Sequence, residues 1–274
     1  MCVVGRRMMW SLLLLPLCLI ACDHKEKPIV LPHSKGLPSE VLLVTDDAVG
    51  QSDVMDSLNA LTQQCLPEIM QPETMFRVLR VSQRNYTQRY ITMHTKLFVN
   101  IDKSLSAPMM GISRDVEATP QTEVTVSAPS LNELRLFLSH HQQQVTDALL
   151  DGQLLVRMTD LRKHHNAHVA NEVRRHMGYS ICVPKNVCAV KKGKHFLWAG
   201  SNLQERDLNI VLYEFPWDGK PMDNAEQLVS KRDSVMKCNI PGEKEGQWMQ
   251  TSRVDGNALV MCRRRNLQGR EFVE

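Results

Sequence analysis

The chain is poor in aromatic residues and has no excess of charge of either sign. Phe, Trp and Tyr make up 5% of the 274 residues, which gives little support to a carbohydrate-binding platform built on aromatic rings. Basic residues number 33 against 30 acidic ones, and 31 against 30 once Arg6 and Arg7 are set aside. Such a balance lacks the positive charge on which nucleic-acid binding depends. We therefore expect no nucleic-acid partner.

The sequence also lacks the short motifs that are typical of catalysis. It contains no glycine-rich phosphate loop, no nucleotide-binding fingerprint and no Cys-x-x-Cys pair. Ser234 has no accompanying base or nucleophile elbow. No residue is therefore assigned a catalytic role.

The N-terminus has the pattern of an export signal. Arg6 and Arg7 precede an apolar run, Trp10 to Ala21. As a helix this run would extend only about 18 Å, whereas a bilayer core is about 30 Å thick. Leu19-Ile20-Ala21-Cys22 is the pattern of a bacterial lipoprotein processing site, which predicts a covalent lipid on Cys22 as the only attached group. The alternative is ordinary signal cleavage and secretion.

The cysteines beyond Cys22 are odd in number. They are Cys65, Cys182, Cys188, Cys238 and Cys262. An odd number in an exported chain requires a free thiol or an intermolecular bond. Cys65 continues the helical stripe of Val54, Leu58 and Leu61, which predicts a small core residue. Cys182 and Cys188 could meet across a turn, although nothing else indicates a disulfide framework.

Hydrophobic patterning predicts an α/β unit in the first half of the mature chain. The expected strands are Glu40–Thr45, Phe76–Val81, Lys96–Ile101 and Thr122–Ser127. The expected helices start at Val54, at Tyr86 and, after the capping box Ser130–Glu133, at Leu131. The last of these should bend or break at Asp151-Gly152. A second helix should then run to Met177 and end at a Gly178 cap.

The second half has more strand character. Its expected strands are Ser180–Val183, His195–Ala199, Leu208–Phe215, Gln247–Thr251 and Ala258–Arg263, with a helix over Asn224–Asp233. We predict an α+β fold of two α/β subdomains, with helices on mainly antiparallel sheets, joined by a long helical pair. The expected divisions are a signal peptide (1–21), a polar tether (22–39), an N-terminal unit (40–178) and a C-terminal unit (179–274).

His164 and His168 form the only candidate metal site. On one continuous helix they would lie one turn apart and share a face, which is the spacing of a two-ligand metal site. No third ligand is placed within the motif, and a solvated helix face explains both side chains equally well. His165 falls in the apolar stripe between Leu161 and Val169, so it is expected to be packed. No metal is therefore assigned.

The second half also contains a candidate binding surface. Arg232 and Asp233 could orient a ligand carboxylate or phosphate, or could form a structural ion pair at a helix end. Trp198, Trp217 and Trp248 could line a groove for a peptide or glycan, or could simply pack against the sheet. Both interpretations of each group remain open at this point.

Several segments together resemble one family. They include Gly36–Val44, Arg114–Val116, Phe196–Ala199 and, most specifically, Lys231–Lys237 running on through Asn239–Gly242 to Gly246. These segments resemble the exported Bacteroidetes lipoproteins grouped as the domain-of-unknown-function family numbered 4837. The resemblance implies envelope attachment but no established activity. It also implies that relatives continue past the position of Glu274, so the C-terminal unit is expected to be truncated.

The sequence thus favours a lipid-anchored cell-envelope protein that binds a partner or assists assembly without catalysis. Its expected partners are outer-membrane lipid, through the acylated N-terminus, and an unidentified protein or envelope component. The periplasmic face is favoured over surface exposure because Asp23–Lys27 lacks consecutive acidic residues. The alternative is an envelope hydrolase or metal-dependent enzyme that uses the His164/His168 face.

Overall fold

A computed structural model describes residues 30–66, 72–201, 207–216 and 225–252, together with the backbone of 264–267 and 270–273. It contains both helices and sheets, so the α+β prediction is confirmed. The predicted signal peptide, Cys22, Trp217, Cys262 and the expected strand Ala258–Arg263 lie outside the described residues. None of the described helices is long and apolar enough to cross a membrane.

The first unit is built on a five-stranded mixed sheet. Its strands are β1 (Glu40–Thr45), β2 (Arg77–Ser82), β3 (Thr95–Ile101), β4 (Met109–Arg114) and β5 (Thr122–Ala128). They lie in the order β2-β1-β3-β5-β4, and every neighbouring pair is parallel except β4 with β5. The prediction of a mainly antiparallel sheet is therefore wrong for this unit. Parallel neighbours need long crossovers, and the segments between β1, β2 and β3 provide them.

Both faces of the central strands of this sheet are covered, whereas the edge strands β2 and β4 are largely exposed. Helices α1 (Asp47–Gly50), α2 (Val54–Thr62) and α4 (Leu131–His164) belong to one face, where the main core forms. The other face carries a smaller cluster beneath the segment of helix α3 (Gln88–Ile91), a helix that is much shorter than expected. Leu42 and Val44 point into this cluster, whereas Val41 and Leu43 point into the main core. Strand β1 is thus buried on both faces, as its apolar run predicts.

Helix α4 does not break where the sequence suggested. Ser130 caps its first turn by accepting from the Glu133 N–H, which confirms the capping box, and the helix then continues to His164. Gly152 is helical and buried. A Cβ at this position would lie 2.9 Å from Cβ of Thr122. The glycine therefore permits close approach of α4 to β5. The non-helical residue inside α4 is His141.

The second unit is a three-stranded antiparallel sheet with helices α5 (Ala167–Met177) and α6 (Ala225–Asn239). Its strands β6 (Ala189–Gly193), β7 (Phe196–Gly200) and β8 (Asn209–Tyr213) lie in sequential order. Helix α5 ends at Gly178, which has the left-handed conformation expected of a cap. The apolar side of α5 packs on this sheet through Val169, Val173 and Met177. Further along the chain, β9 (Arg264–Leu267) and β10 (Arg270–Val273) form an antiparallel pair.

Two strands expected in the second unit are not formed. Residues 180–183 form no regular strand, and residues 247–251 contain only one isolated bridge, between Pro241 and Trp248. Strand β6 was not predicted. Ile181 and Val183 nevertheless contribute to the core under α5, which explains their apolar character.

The described cysteines are free and exposed thiols: Cys65, Cys182, Cys188 and Cys238. The prediction that Cys65 is a core residue is wrong. Helix α2 ends at Thr62, so the helical stripe does not extend to Cys65, which instead makes an isolated bridge with Thr74.

Candidate functional site

The face of the C-terminal sheet opposite α5 carries a row of three paired side chains. Lys191, Trp198 and Val211 are direct cross-strand partners on β6, β7 and β8. The Trp198 indole N–H donates to Oδ1 of Asn209 over 2.8 Å, which fixes the ring on the sheet. A Cβ on Gly200 would overlap this ring, so the glycine makes room for it. The tryptophan is therefore held in place by its neighbours.

A small apolar pocket opens beside this row. It has a volume of about 300 Å³ and is lined by Trp198, Val211, Ile240 and Met249, with Lys191 and Asn209 at its polar positions. The Lys191 ammonium donates to the carbonyl oxygen of Asn239 at 2.7 Å, which fixes the end of α6 beside the pocket. We call this feature the Trp198 pocket. Its size is at the lower end of the range for ligand pockets.

Trp248 lies beside a second, shallower depression that adjoins the Trp198 pocket. Ile240 and Met249 line both depressions, so the 240–250 segment connects the two tryptophans. The Lys237 ammonium lies 5.7 Å from the centre of the Trp248 ring. The structure thus places two of the three predicted tryptophans around one surface, and Trp217 lies outside the described residues.

Arg232 and Asp233 do not line the Trp198 pocket. They instead hold the segment at Thr251, which follows the pocket residue Met249 in the chain. Asp233 accepts hydrogen bonds from both the N–H (3.0 Å) and the hydroxyl (2.8 Å) of Thr251. Arg232 donates to Asp233 at 3.0 Å and to the Thr251 hydroxyl at 2.8 Å. Burial raises the pKa of Asp233, but the hydrogen bonds from Thr251 and Arg232 outweigh it and hold that pKa below its ordinary value. Of the two open interpretations, the contacts favour the structural one.

His164 and His168 do not share a helix. Helix α4 ends at His164, His165 is extended, and Asn166 caps α5 by accepting from the N–H groups of His168 and Val169. The one-turn spacing on which the metal hypothesis depended is therefore absent. His164 contacts Asp160 instead, with Nδ1 and Oδ1 2.7 Å apart. Within the described residues, no three potential ligands cluster as a metal site requires.

His165 is half-buried rather than packed in an apolar stripe. It follows the end of α4, and its backbone forms an isolated bridge with Pro184. The expectation that it lies between Leu161 and Val169 on one helix is wrong, because that helix does not exist.

The most unusual electrostatic feature was not predicted from the sequence. Lys96 on β3 has no exposed surface, and its ammonium lies 2.7 Å from Glu117, 2.8 Å from Glu123 and 2.8 Å from the Tyr86 hydroxyl. Burial lowers the pKa of Lys96, but the hydrogen bonds to these three groups raise it above its ordinary value. The lysine is thus a protonated structural cation rather than a nucleophile. Its partners are distant in sequence, so only the strand register could have revealed the cluster.

Comparison with known families divides the chain in two. Residues 166–274 match the model of a domain of unknown function, DUF4837. This part of the chain is similar to a DUF4837 domain, and we call it the DUF4837 domain below. The predicted resemblance to the domain-of-unknown-function family numbered 4837 is confirmed over that range. Residues 34–159 match a different domain of unknown function, DUF8532. No curated protein and no solved structure gives a significant match.

The DUF4837 range gathers α5, the three-stranded sheet, α6 and the Trp198 pocket into one domain. The N-terminal segments that suggested the same family, including Gly36–Val44, fall within the DUF8532 match. Helix α5, which the sequence assigned to the N-terminal unit, packs on the sheet of the DUF4837 domain. The DUF8532 match ends at residue 159 and the DUF4837 match begins at residue 166, on either side of the end of α4.

Proposed function

We propose that the protein is a lipid-anchored component of the cell envelope that acts by binding a protein partner rather than by catalysis. Both matching domains are of unknown function, so the proposal depends on the chain's own residues. The observation that carries it is the Trp198 pocket, an open apolar site on the DUF4837 domain.

The anchor is supported by the sequence alone. Cys22 follows Leu19-Ile20-Ala21, and the polar residues after it lead to β1 at Glu40. Two or three acyl chains on one cysteine hold a protein stably at a membrane, whereas one chain does so only reversibly. Only the part before Pro32 can act as the tether, because Pro32, Ser34 and Lys35 form backbone hydrogen bonds with residues 92, 94 and 119 of the first unit.

The Trp198 pocket is suited to an apolar side chain of a partner protein. Its walls are the indole and the aliphatic groups of Val211, Ile240 and Met249, and its few polar atoms already have partners. Tryptophan in a pocket with a polar surround is typical of the residues that dominate binding energy at protein interfaces. Met249 is 50% exposed in the free protein, so a partner would remove apolar surface from water.

Replacement of Cys22 tests the anchor. We expect wild-type protein to incorporate radiolabelled palmitate and to sediment with outer membranes, and the Cys22→Ala variant to do neither. Cys65→Ala is the matched control, since it removes an exposed thiol from the folded part of the chain. Equal labelling of wild type and Cys22→Ala would contradict the anchor.

External protease on intact cells tests the side of the membrane. We expect the folded domains to survive until the outer membrane is opened, which is the result for a periplasmic orientation. Digestion in intact cells would place the protein on the surface and change the class of partner to extracellular molecules.

Site-specific crosslinking tests the pocket. A photoreactive residue at Val211 should crosslink to a discrete protein in cells, and a second substitution, Met249→Asp, should abolish that product. The same photoreactive residue at exposed His168, on the opposite side of the sheet, should give no such product. A purified protein that turned over an envelope substrate through particular side chains would contradict the non-enzymatic part of the proposal.

A further inference from the structure

A third cavity lies where the two matched domains meet, and it is separate from the Trp198 pocket and from the depression beside Trp248. It has a volume of about 670 Å³ and is bounded by Gly36 and Pro38, by the second half of α4, and by Pro184 and Lys185. We call it the junction cleft. Clefts between domains are frequent sites of ligand binding.

The floor of the junction cleft is an apolar stripe. Leu154, Met158 and Leu161 follow one another at helical spacing on α4. Leu154 is 58% exposed and Met158 48% exposed, so no part of the chain that the structure describes removes these two side chains from water. From residue 153 to residue 164 the helix extends about 17 Å, which makes the cleft long rather than round.

The polar groups of the junction cleft have a positive excess. The lining contains two cations, Arg157 and Lys185, and one carboxylate, Asp160, whose Oδ1 lies 2.7 Å from Nδ1 of His164. Neither cation has a described carboxylate within ion-pair distance. His94, the other titratable group of the lining, is directed to the Leu37 carbonyl and the Thr95 hydroxyl. Burial lowers the pKa of His94, so it adds no positive charge near neutral pH. Two cations thus border an apolar floor.

We propose that the junction cleft binds an anionic amphiphile with a single acyl chain and a phosphate or carboxylate head. The chain would lie along Leu154, Met158 and Leu161, and the head would accept hydrogen bonds from Arg157 and Lys185. An extended peptide fits less well, because the backbone N–H and C=O groups of α4 are paired internally and leave such a peptide's backbone without partners. This site is independent of the partner pocket proposed above.

Calorimetric titration tests the site on the full mature chain carrying Cys22→Ser, so that no detergent is needed. The probes, used below their micelle concentrations, are dodecyl phosphate, dodecyltrimethylammonium and inorganic phosphate. We expect dodecyl phosphate to bind at one site, with affinity at least roughly tenfold above that of either other probe. Equal binding of the cationic amphiphile, or of inorganic phosphate alone, would overturn the proposal.

Matched variants locate the binding. The pair Arg157→Gln with Lys185→Gln, and separately Met158→Gln, should each weaken dodecyl phosphate binding by about tenfold or more. The controls Arg162→Gln with Lys163→Gln, and Leu136→Gln, alter exposed α4 residues outside the cleft and should leave it unchanged. Unchanged melting temperatures show that all variants are folded. Equal losses in controls would overturn the proposal, as would a wild-type dimer that Met158→Gln converts to a monomer.

Discussion

Lys96 and Glu123 lie directly opposite one another on the parallel strands β3 and β5, with the lysine nitrogen 2.8 Å from the glutamate oxygen. The lysine side chain is fully buried and that of Glu123 is 14% exposed. Because Glu117 and Tyr86 contact the same ammonium, one cation joins β5, the loop before it and the segment after β2. Its removal should therefore affect the whole N-terminal domain.

We predict that Lys96→Met destabilises the protein by about 3 kcal/mol, since it leaves the largely buried Glu123 and the more exposed Glu117 without a counter-charge. Urea unfolding, followed by circular dichroism, measures the change. The double variant Lys96→Met with Glu123→Gln should recover part of the loss, because it removes one of the uncompensated charges. A loss below about 0.5 kcal/mol, the size typical of a surface pair, would contradict the structural role.

We predict that stability falls at alkaline pH. Burial raises the pKa of Tyr86 above its ordinary 10.0, and the pKa of Lys96 lies above its ordinary 10.5. Raised pKa values mean that the folded state holds these protons more tightly than the unfolded state. The stabilisation is therefore complete below about pH 10 and is lost as the pH rises through the folded-state pKa values.

Urea unfolding at pH 8, 10 and 11 measures this loss. Tyr86→Phe should make the decline less steep, because it removes one of the two protons involved. Tyr90→Phe is the control, as Tyr90 packs in the same cluster without contacting Lys96. Identical pH profiles for wild type and Tyr86→Phe would show that the hydroxyl does not take part.

We predict that Gly152→Ala is destabilising, although alanine normally favours a helix by about 1 kcal/mol. The new Cβ would lie 2.9 Å from Cβ of Thr122, so α4 or β5 must shift, at a cost of about 1–3 kcal/mol. Thermal melting measures the difference. Gly111→Ala is the control, because nothing lies within 4 Å of its added Cβ. A stabilised Gly152→Ala variant would show that the helix does not press on the sheet there.

We predict that Asp233→Ala frees the segment around Thr251. Amide hydrogen exchange at Thr251 should become several-fold faster, since its N–H loses the carboxylate that accepts from it. Asp233→Asn should retain part of the protection, because an amide oxygen still accepts a hydrogen bond. Glu243→Gln, an exposed change in the same region, should have no effect. Unaltered exchange in Asp233→Ala would mean that other contacts hold the segment.

The elements that local signals define were predictable from the sequence. Strand β1 has the expected bounds, and the caps at Ser130 and Gly178 lie where their residue types indicate. Each of these depends on a few consecutive residues. The alternation of Val124 and Val126 on β5 likewise predicted their burial.

Features that depend on contacts distant in sequence were not predictable. Gly152 resembles a helix breaker until Thr122 is known to lie against it. Lys96 resembles the polar end of a strand until β5 brings Glu123 beside it. The break between α4 and α5 did have a local signal, because Asn166 is a favoured helix-capping residue. A cap at Asn166 places His164 and His168 on different helices. Trp198 was identified, but its pocket depends on Ile240 and Met249.

The short connection between α4 and α5 couples the orientation of the DUF4837 domain to the length of α4. Only His165 and Asn166 separate the helices, and Asn166 is bound to the carbonyls of Lys185 and Val187, so it moves with the DUF4837 domain. The rotation of that domain about the axis of α4 is therefore set by the number of residues in α4. Each residue inserted after Leu155 would turn the domain by about 100° and advance it by about 1.5 Å.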